Sequence, residues 1–507
     1  MLKDTYYTPP TELDLLIFEK LVPPDHYLRK VKAFIDFERY RRELATCYSS
    51  DEGRPADDPV LMVKLEFLEF HYNLSDRQVL ANTQVNVAFR YFLDLSIDST
   101  LPHPSLLTVF RRRLGAQKHE NLLQALVGQA REQGLVKDRV RLKDATHVIA
   151  NIAIPSTIRL VAETRDQLLH ALQPVNPARV ATEQIRATAL REATADLADE
   201  ERLLQRVNHL REIVTWADAA PSGQQALGEA LALAHHVLAD RERPEAGDKV
   251  VSVQDPEARV GKHGDYYHGY LCDLTMDAES ELITAVNVLP ANGDETADAQ
   301  VLITQEESAH GNDVQALSID GIGFRGKRLR EWQDPQGLNL EVFVPPPPLS
   351  EPTGYFTPPD FATEEEGEWV RCPAEQATTR RYRTSNDSGW QYQFRRATCA
   401  ACPLLARCMA RLPQHNGRVV TKNDYEAEYA AARRKAQTPA YAAVRQRHPA
   451  VERKLAELVR IHRMRWARYR KQMRVRIQAL LTAFVVNVKR MVRLTASARL
   501  QTAPSGV

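Results

Sequence analysis

Strand-forming and helical segments alternate along this chain, and the alternation limits the folds that it can adopt. Residues 139–150 (RVRLKDATHVIA) alternate in the manner of a strand. Residues 158–243 form a helical stretch rich in Ala, Leu, Glu, Arg and Gln, which prolines divide and in which no heptads are sustained. We therefore expect a helical hairpin or small bundle there. Strands return at residues 266–277 and 281–290, which flank a short turn and predict a hairpin.

Two further strand segments follow the hairpin. An apolar strand over residues 316–319 ends in Asp320, and a strand over residues 339–348 runs into four consecutive prolines. A basic helix over residues 324–332 is expected between them. Because strands are mixed with helices, the sequence predicts an α/β (α+β) fold.

Composition excludes several classes of protein. Of the 507 residues, 43% are hydrophobic and 26% are charged, as in a soluble protein of several domains. No run approaches the ~18 apolar residues of a membrane-spanning helix, and the N-terminus lacks the apolar region of a signal peptide. We expect a cytoplasmic, nucleoid-associated protein with no membrane partner. The sequence contains no G-x4-G-K-[ST] phosphate loop, which argues against the use of ATP.

Basic residues concentrate in two places, although the net charge is only +1. Between Arg445 and Arg493, fifteen Lys and Arg residues accompany two acids, a pattern typical of proteins that bind the DNA backbone. The other basic cluster ends a series of short N-terminal helices that indicate a helix-turn-helix-like module. The alternatives are a solvated cationic face and a plain helical bundle. The predicted DNA contacts are Arg111, Arg112, Arg113, Arg460, Arg463, Arg465, Arg468, Arg470 and Lys471.

Four of the six cysteines cluster in one segment. The spacing Cys399-x2-Cys402-x5-Cys408, with Cys372 upstream, suits a tetrahedral structural Zn²⁺ site. The alternative is that these cysteines are reduced and pack a small, loop-rich insertion. The remaining two, Cys47 and Cys272, are expected in the core.

Three acids stand where a catalytic metal site could form. Asp144 lies on a predicted strand, Asp320 at the end of another, and Glu452 near the start of a helix. Carboxylates suit Mg²⁺, and two such ions ~4 Å apart can activate an attacking oxygen and stabilise a leaving one. From the residues alone, each could equally be an ordinary turn or surface acid.

The chain resembles the DDE transposases of bacterial insertion sequences, and specifically the insertion sequence 1182-like branch related to the insertion sequence 4/5 group. The order and number of matching segments make the resemblance specific. N-terminal segments are RPADDPVLMVKLEFLEF, NLSDRQVLANTQVNVAFRYFLDL and LPHPSLLTVFRRRLG. Core segments are KDATHVIANIAIPS, DPEARVGKHGDYYHGYLCDLTMDAESELITAVNVLPAN and ALSIDGIGFRG. C-terminal segments are CAACPLLARC, RHPAVERKLAELVRIHRMRWARYR and VRIQALLTAFVVNVKRM.

The resemblance implies a ribonuclease-H-like catalytic core with insertions. It implies that Asp144 on the first strand, Asp320 on the fourth and Glu452 on a late helix are both catalytic residues and metal ligands. Relatives usually have Asp-x-Gly-Tyr at the second position, whereas this chain has Asp320-Gly321-Ile322-Gly323-Phe324. Asp255 and Asp277 are therefore the fallback candidates, although a turn role is expected for Asp277.

The resemblance also implies a division of the chain into domains. They are a helical N-terminal DNA-binding domain (1–135), the first part of the ribonuclease-H-like core (136–157), a helical insertion (158–245), the main part of the core (246–345), a Cys-rich insertion (346–440) and basic C-terminal helices that complete the core (441–507).

The implied function is metal-dependent DNA cleavage and strand transfer during transposition, with Mg²⁺ or Mn²⁺ as cofactor. The expected partner is DNA, both element ends and target, bound by a homodimer or higher oligomer. The alternative is a catalytically inactive DNA-binding or regulatory relative. A tyrosine recombinase is disfavoured, because His462, Arg465 and Tyr469 would share two turns of one predicted helix.

Overall fold

A computed structural model describes residues 9–49, 55–220, 224–243, 247–348, 354–363 and 367–502. Pro221, one of the prolines that divide the predicted helical stretch, lies outside the described residues. The chain divides into two compact units. The first comprises residues 1–138, 143–313 and 450–507, and the second comprises residues 139–142 and 314–449. Strands and helices are mixed, as expected for an α/β fold.

The first unit begins with a bundle of short helices around one buried helix. Asp58 caps that helix, because its carboxylate accepts a hydrogen bond from the backbone N–H of Val60 (2.9 Å). Ser75 caps the next helix and forms a capping box with Gln78. The helices are α1 (Glu12–Leu21), α2 (Tyr27–Phe34), α3 (Arg41–Ala45), α4 (Pro59–His71), α5 (Asp76–Val85), α6 (Val87–Leu93) and α7 (Ser105–Glu132).

The predicted helical bundle between the first two strand regions is confirmed. Buried Leu, Val, Ile and Ala side chains from all its helices form one apolar core. Ser156 and Asn176 cap the first two helices through their side chains, and Pro177 occupies a first-turn position that needs no backbone N–H. The helices are α8 (Thr157–Leu172), α9 (Pro177–Ala193), α10 (Asp199–Asp218) and α11 (Gln225–Glu242).

The sheet of the first unit contains the predicted hairpin. Its strands are the end of β1 (Val140–Ile149), then β2 (Arg259–His263), β3 (Asp265–Asp277) and β4 (Ile283–Pro290). Both β2 and β4 pair with β3 in antiparallel fashion, and β3 neighbours β1. The backbones of β1 and β3 approach so closely that a Cβ at Gly269 would lie 2.0 Å from the carbonyl oxygen of Val148, so only glycine fits there. Helix α12 (Glu295–His310) follows β4.

The C-terminal part of the first unit corrects the prediction of long basic helices. Helix α18 (Pro449–Arg460) and helix α19 (Gln472–Thr502) are separated by a non-helical segment, residues 461–471. Positive φ angles at Arg463 (56°) and Lys471 (72°) interrupt the helix. Trp466 instead forms a parallel bridge with Ile149 at the end of β1. Helix α19 packs on α7 and on β4.

The second unit contains a parallel strand group and two small antiparallel sheets. Residues 140–142 of β1 pair with β5, which in turn pairs with β6, and both pairings are parallel. The elements are β5 (Ala316–Ser318), α13 (Gly326–Gln333), β6 (Glu341–Phe343), β7 (Ala362–Thr363), β8 (Val370–Arg371), β9 (Ala377–Thr378), β10 (Arg381–Arg383), β11 (Gly389–Gln393), α14 (Arg396–Ala400), α15 (Leu405–Cys408), β12 (Val419–Asn423), α16 (Glu426–Lys435) and α17 (Pro439–Arg447).

Candidate functional site

Asp144 is the fifth residue of β1, and its side chain is half-buried. Its carboxylate accepts a hydrogen bond from the backbone N–H of Ala145 at 2.8 Å. Because side chains alternate along a strand, the neighbouring Lys143 points to the opposite face. Asp144 thus lies on a partly open face of a strand whose other face is buried.

A buried charge cluster, absent from the sequence-based candidates, holds the opposite face of β1. The Lys143 ammonium lies 3.1 Å from Asp273 on β3, and both residues are 0% exposed. Glu295, in the first turn of α12, lies 3.4 Å from the same ammonium. Burial acts to lower the pKa of Lys143, but the two carboxylates outweigh burial and raise it. Lys143 therefore keeps its charge and ties β1 to β3 and α12.

Asp320 lies in the second unit, just after β5. Its side chain is exposed and caps a short 3-10 helix by accepting the N–H of Ile322 at 3.2 Å. The end of β5 is bonded to helix α17 and to the residue that follows it. Arg445 donates to the carbonyl of Ile319 (2.9 Å), and the ring of His448 lies 3.1 Å from the Ser318 hydroxyl. Burial, with Arg445 nearby, lowers the pKa of His448 to about 4, so this ring is neutral at pH 7.

Glu452 lies in the first turn of α18, as predicted from the sequence. Its side chain is exposed, whereas Val451, Leu455 and Leu458 on the same helix are buried. Asp144 and Glu452 belong to the first unit and Asp320 to the second. Within the described ranges of the chain, no group of three or more His, Cys, Asp or Glu side chains is arranged to hold a metal ion.

The two fallback acids have structural roles. Asp255 is fully buried and accepts a hydrogen bond from the Tyr270 hydroxyl at 2.7 Å. Asp277 ends β3 and accepts hydrogen bonds from the backbone N–H (2.8 Å) and the hydroxyl (2.7 Å) of Ser280 in the hairpin turn. The turn role expected for Asp277 is confirmed.

The four clustered cysteines line one small cavity of the second unit. This cavity has a volume of about 30 Å³ and is lined by Cys372, Cys399, Cys402 and Cys408. Burial raises the pKa of Cys408, and the three other thiols raise it further, against the influence of Arg418. The backbone N–H of Arg418 donates to the sulfur of Cys399 at 3.3 Å. All six cysteines are free, with Cys272 buried as expected and Cys47 only half-buried.

Several of the predicted DNA contacts in the C-terminal segment are instead engaged within the protein. Arg465 donates to the carbonyl of His147 (2.9 Å), and Arg470 donates to the carbonyl of Asn151 (3.1 Å). Two other cations of this segment pair with acids. Arg468 lies 3.3 Å from Glu69, and Lys471 lies 3.6 Å from Glu229.

Arg111 is also withdrawn from the DNA-binding set, because it is 6% exposed and bound by carboxylates. Its guanidinium lies 2.9 Å from Glu69 and 2.6 Å from Asp76. Arg112 and Arg113, next to it in α7, are exposed, as are Arg460 and Arg463. Of the two aromatic residues in the C-terminal segment, Trp466 is 61% exposed, whereas Tyr469 lies beside the Arg111 guanidinium.

Two family models match the chain, one on each side of the central region. Residues 16–113 match a family described as a transposase domain (DUF772), and residues 371–492 match a family described as a transposase DDE domain. This chain is a DDE transposase of an insertion sequence. The second match includes Glu452 and the four clustered cysteines. Assignment of the transposase to the insertion sequence 1182-like branch stays a prediction.

Part of the chain is similar to a curated protein. The transposase is 28% identical over 162 residues to a protein of Rhizobium meliloti described as "Uncharacterized protein ORF8 in nfe locus", and the match covers 30% of this chain and 75% of the relative. No solved structure matches the chain significantly. A search of the described helices finds none long and apolar enough to span a membrane.

Proposed function

We propose that this transposase cleaves DNA at element ends and joins it to a target, using Asp144, Asp320 and Glu452. The observation that carries the proposal is the register of two parallel strands. Leu142 of β1 pairs with Ser318 of β5, and each of the two aspartates follows its paired residue by two positions. Equal offsets along parallel strands lead to the same face of a sheet, which is what the family resemblance implies for the two aspartates.

Chain connectivity supports the inclusion of Glu452. His448 and Arg445 bind the end of β5, immediately before Asp320. Glu452 follows His448 by four residues in the first turn of α18, which is about one helical turn. The family resemblance implies a catalytic Glu on a late helix, and Glu452 is the acid in that position.

The strand arrangement supports a ribonuclease-H-like core. Three strands joined by antiparallel pairings, β2, β3 and β4, occupy one side of β1, and the parallel strands β5 and β6 occupy the other. Helix α12 leads from β4 to β5. The resemblance implies that the first and fourth strands carry the aspartates, whereas Asp320 follows β5, the fifth strand along the chain, because the short strand β2 precedes the hairpin of β3 and β4.

The donor chemistry of the three acids fits a divalent metal. Transposases of this family generally use such ions, and carboxylate oxygens are the ligands that Mg²⁺ and Mn²⁺ prefer. When bound, two such ions supply the positive charge that activates a water or 3′-hydroxyl and stabilises the leaving oxygen. The protein's own task is to hold the carboxylates. Lys143 does so for Asp144 by fixing β1 from its buried face.

The exposed cations would hold the DNA backbone. Four predicted DNA contacts are exposed and form no salt bridge among the described residues. They are Arg112 and Arg113 on α7, Arg460 at the end of α18, and Arg463 just after it. The exposed Trp466 can stack on a base. Two element ends must be held together for transfer, so we also propose a homodimer or higher oligomer.

We further propose that the cysteine cluster binds a structural Zn²⁺. Support comes from the cavity that all four thiols line and from the soft sulfur donors that zinc prefers. Bound zinc would replace repulsion among thiolates with attraction and would brace the two small sheets, which share the modest apolar core of Phe361, Val370, Tyr392, Phe394 and Val420.

Strand cleavage and strand joining test the catalytic assignment. Wild type should cut and join labelled element-end DNA in Mg²⁺ or Mn²⁺, and Asp144→Asn, Asp320→Asn and Glu452→Gln should bind the same DNA without cutting it. Asp255→Asn and Glu281→Gln are controls that keep cutting if they fold. Full activity in any of the first three variants contradicts the assignment. Binding without cleavage by the wild type would favour the inactive relative.

A further inference from the structure

The helical bundle α8–α11 contains a cavity whose lining is strongly basic. Its volume is about 780 Å³, and it is enclosed by α8, α9 and α10 of the first unit. Five arginines but only two acids, Asp166 and Asp199, line it. The arginines are Arg159, Arg165, Arg191, Arg202 and Arg206.

Arg206 is the most unusual of these arginines, because it is 5% exposed and lacks a carboxylate partner. Its Nη1 is buried without a hydrogen-bond partner among the described residues, and its Nη2 donates only to the Thr194 hydroxyl at 3.3 Å. Burial lowers the pKa of Arg206, and the nearby Arg165, Arg202 and Arg191 lower it further. A buried cation without a counter-charge is costly, so an anion in the cavity would relieve both the burial and the repulsion.

The other cations form a path from Arg206 to the surface. Arg165 is buried and bound to Asp166 (2.7 Å), and Arg202 is bound to Asp199 (2.9 Å). Arg191 is exposed and has no salt bridge among the described residues. Positive charge in the lining therefore extends from the buried Arg206 to the exposed Arg191, and the N-terminus of α8 adds to it at Ser156.

We propose that this cavity binds a backbone phosphate of DNA, with Arg206 as its deepest ligand. Guanidinium groups bind phosphate oxygens in pairs of parallel hydrogen bonds, and Arg206 has a donor available for this. The choice of DNA as the source of the phosphate rests on the proposed function. Helix α8 begins eight residues after the end of β1, so a strand bound here would lie on the element that directly follows the one carrying Asp144.

The test compares two cavity variants with a matched control. Arg191→Ala removes an exposed rim cation, and Arg206→Met removes the buried one. Arg186→Ala is the control, because Arg186 lies on the same helix as Arg191 but pairs with Glu212 and does not line the cavity. The measurements are thermal stabilisation by inorganic phosphate against chloride at equal ionic strength, and affinity for short element-end and unrelated duplexes across a salt series.

Phosphate should stabilise wild type and Arg186→Ala more than either cavity variant. At low salt both cavity variants should bind both duplexes about tenfold more weakly, and the log–log salt slope should fall by about 1. Unchanged affinities and slopes in a folded Arg191→Ala overturn the proposal, and phosphate stabilisation without a DNA effect assigns the cavity to a free anion and also overturns it. Wild type that binds DNA through these arginines but never cuts it would refute the proposed function alone.

Discussion

Replacing Lys143 by methionine should destabilise the first unit strongly and in a pH-dependent way. Lys143 and Asp273 are both 0% exposed and 3.1 Å apart. Neither carboxylate oxygen of Asp273 has a hydrogen-bond partner among the described residues, so Lys143 supplies its main compensation. Removing one partner of such a pair costs about 3–5 kcal/mol, and we expect that loss in the free energy of unfolding at pH 8.

The pH dependence follows from the acid that is left behind. Burial raises the pKa of Asp273 well above its usual range even though Lys143 opposes the rise, and the pKa should rise further in Lys143→Met. The folded variant therefore binds a proton that an unfolded Asp, with a pKa of ~3.9, releases. Stability from this group is present at low pH and is lost as the pH rises, by about 1.4 kcal/mol per pH unit until the folded pKa is reached. The variant should therefore be closer to wild type at pH 5 than at pH 8.

Urea unfolding at both pH values measures these quantities. The double variant Lys143→Met/Asp273→Leu should recover most of the loss, because an apolar pair of similar volume can replace a buried ion pair. Lys262→Met, at an exposed position of β2, should change the free energy of unfolding by less than about 0.5 kcal/mol. A cost below 1 kcal/mol for Lys143→Met, or a double variant no better than the single one, would refute the reasoning.

Three further predictions address other parts of the molecule. His448 has a pKa of about 4 when folded against ~6.5 when unfolded, so stability is lost as the pH falls from 6.5 to 4; calorimetry of His448→Gln should show up to ~3 kcal/mol less loss across that window, and an identical pH profile would contradict this. Removal of zinc by a chelator, or Cys402→Ser, should lower the melting temperature and abolish the thiolate-to-metal absorption of Co²⁺-loaded protein, whereas Cys47→Ser should leave it intact; no bound metal in purified protein counts against the site. Arg463→Ala should weaken DNA binding with little change in stability, whereas Arg468→Ala should lower stability first, because it leaves the buried Glu69 with less compensation; the reverse pattern would overturn the division between exposed and internal cations.

Local sequence signals predicted much of the fold. The short N-terminal helices follow from residue types that bond to the first backbone N–H groups of a helix, as Asp58 and Ser75 do. The hairpin of β3 and β4 follows from alternation around a short turn. Each of these signals is contained within about a dozen residues, so no knowledge of the tertiary fold is needed to interpret them.

The basic C-terminal segment could not be predicted in the same way. Composition counts positive charges but cannot distinguish an exposed arginine from one that is bonded to a distant carbonyl or acid. Arg465 contacts His147, and Arg468 contacts Glu69, across more than three hundred residues. The segment between the two helices forms the bridge between Trp466 and Ile149, which is equally non-local. Arg111 was assigned to DNA for the same reason.

The candidate site was predictable only as far as its residue types. Asp144 and Glu452 lie on elements of the expected kind and Asp320 just after one, but the sequence does not single out Lys143, because a charged residue in a strand usually indicates exposure. A lysine and an aspartate at buried positions of neighbouring strands, here in RLKDA and YLCDL, would have been the signal. Recognising it requires the knowledge that the two strands are neighbours.

The most direct test of the catalytic assignment is anomalous diffraction from a complex of the full chain with element-end DNA and Mn²⁺. We predict Mn²⁺ peaks within coordination distance of Asp144, Asp320 and Glu452, at about 2.0–2.2 Å from carboxylate oxygens, with the scissile phosphate beside them. Mn²⁺ bound to other acids in a complex that cleaves its DNA would contradict the account.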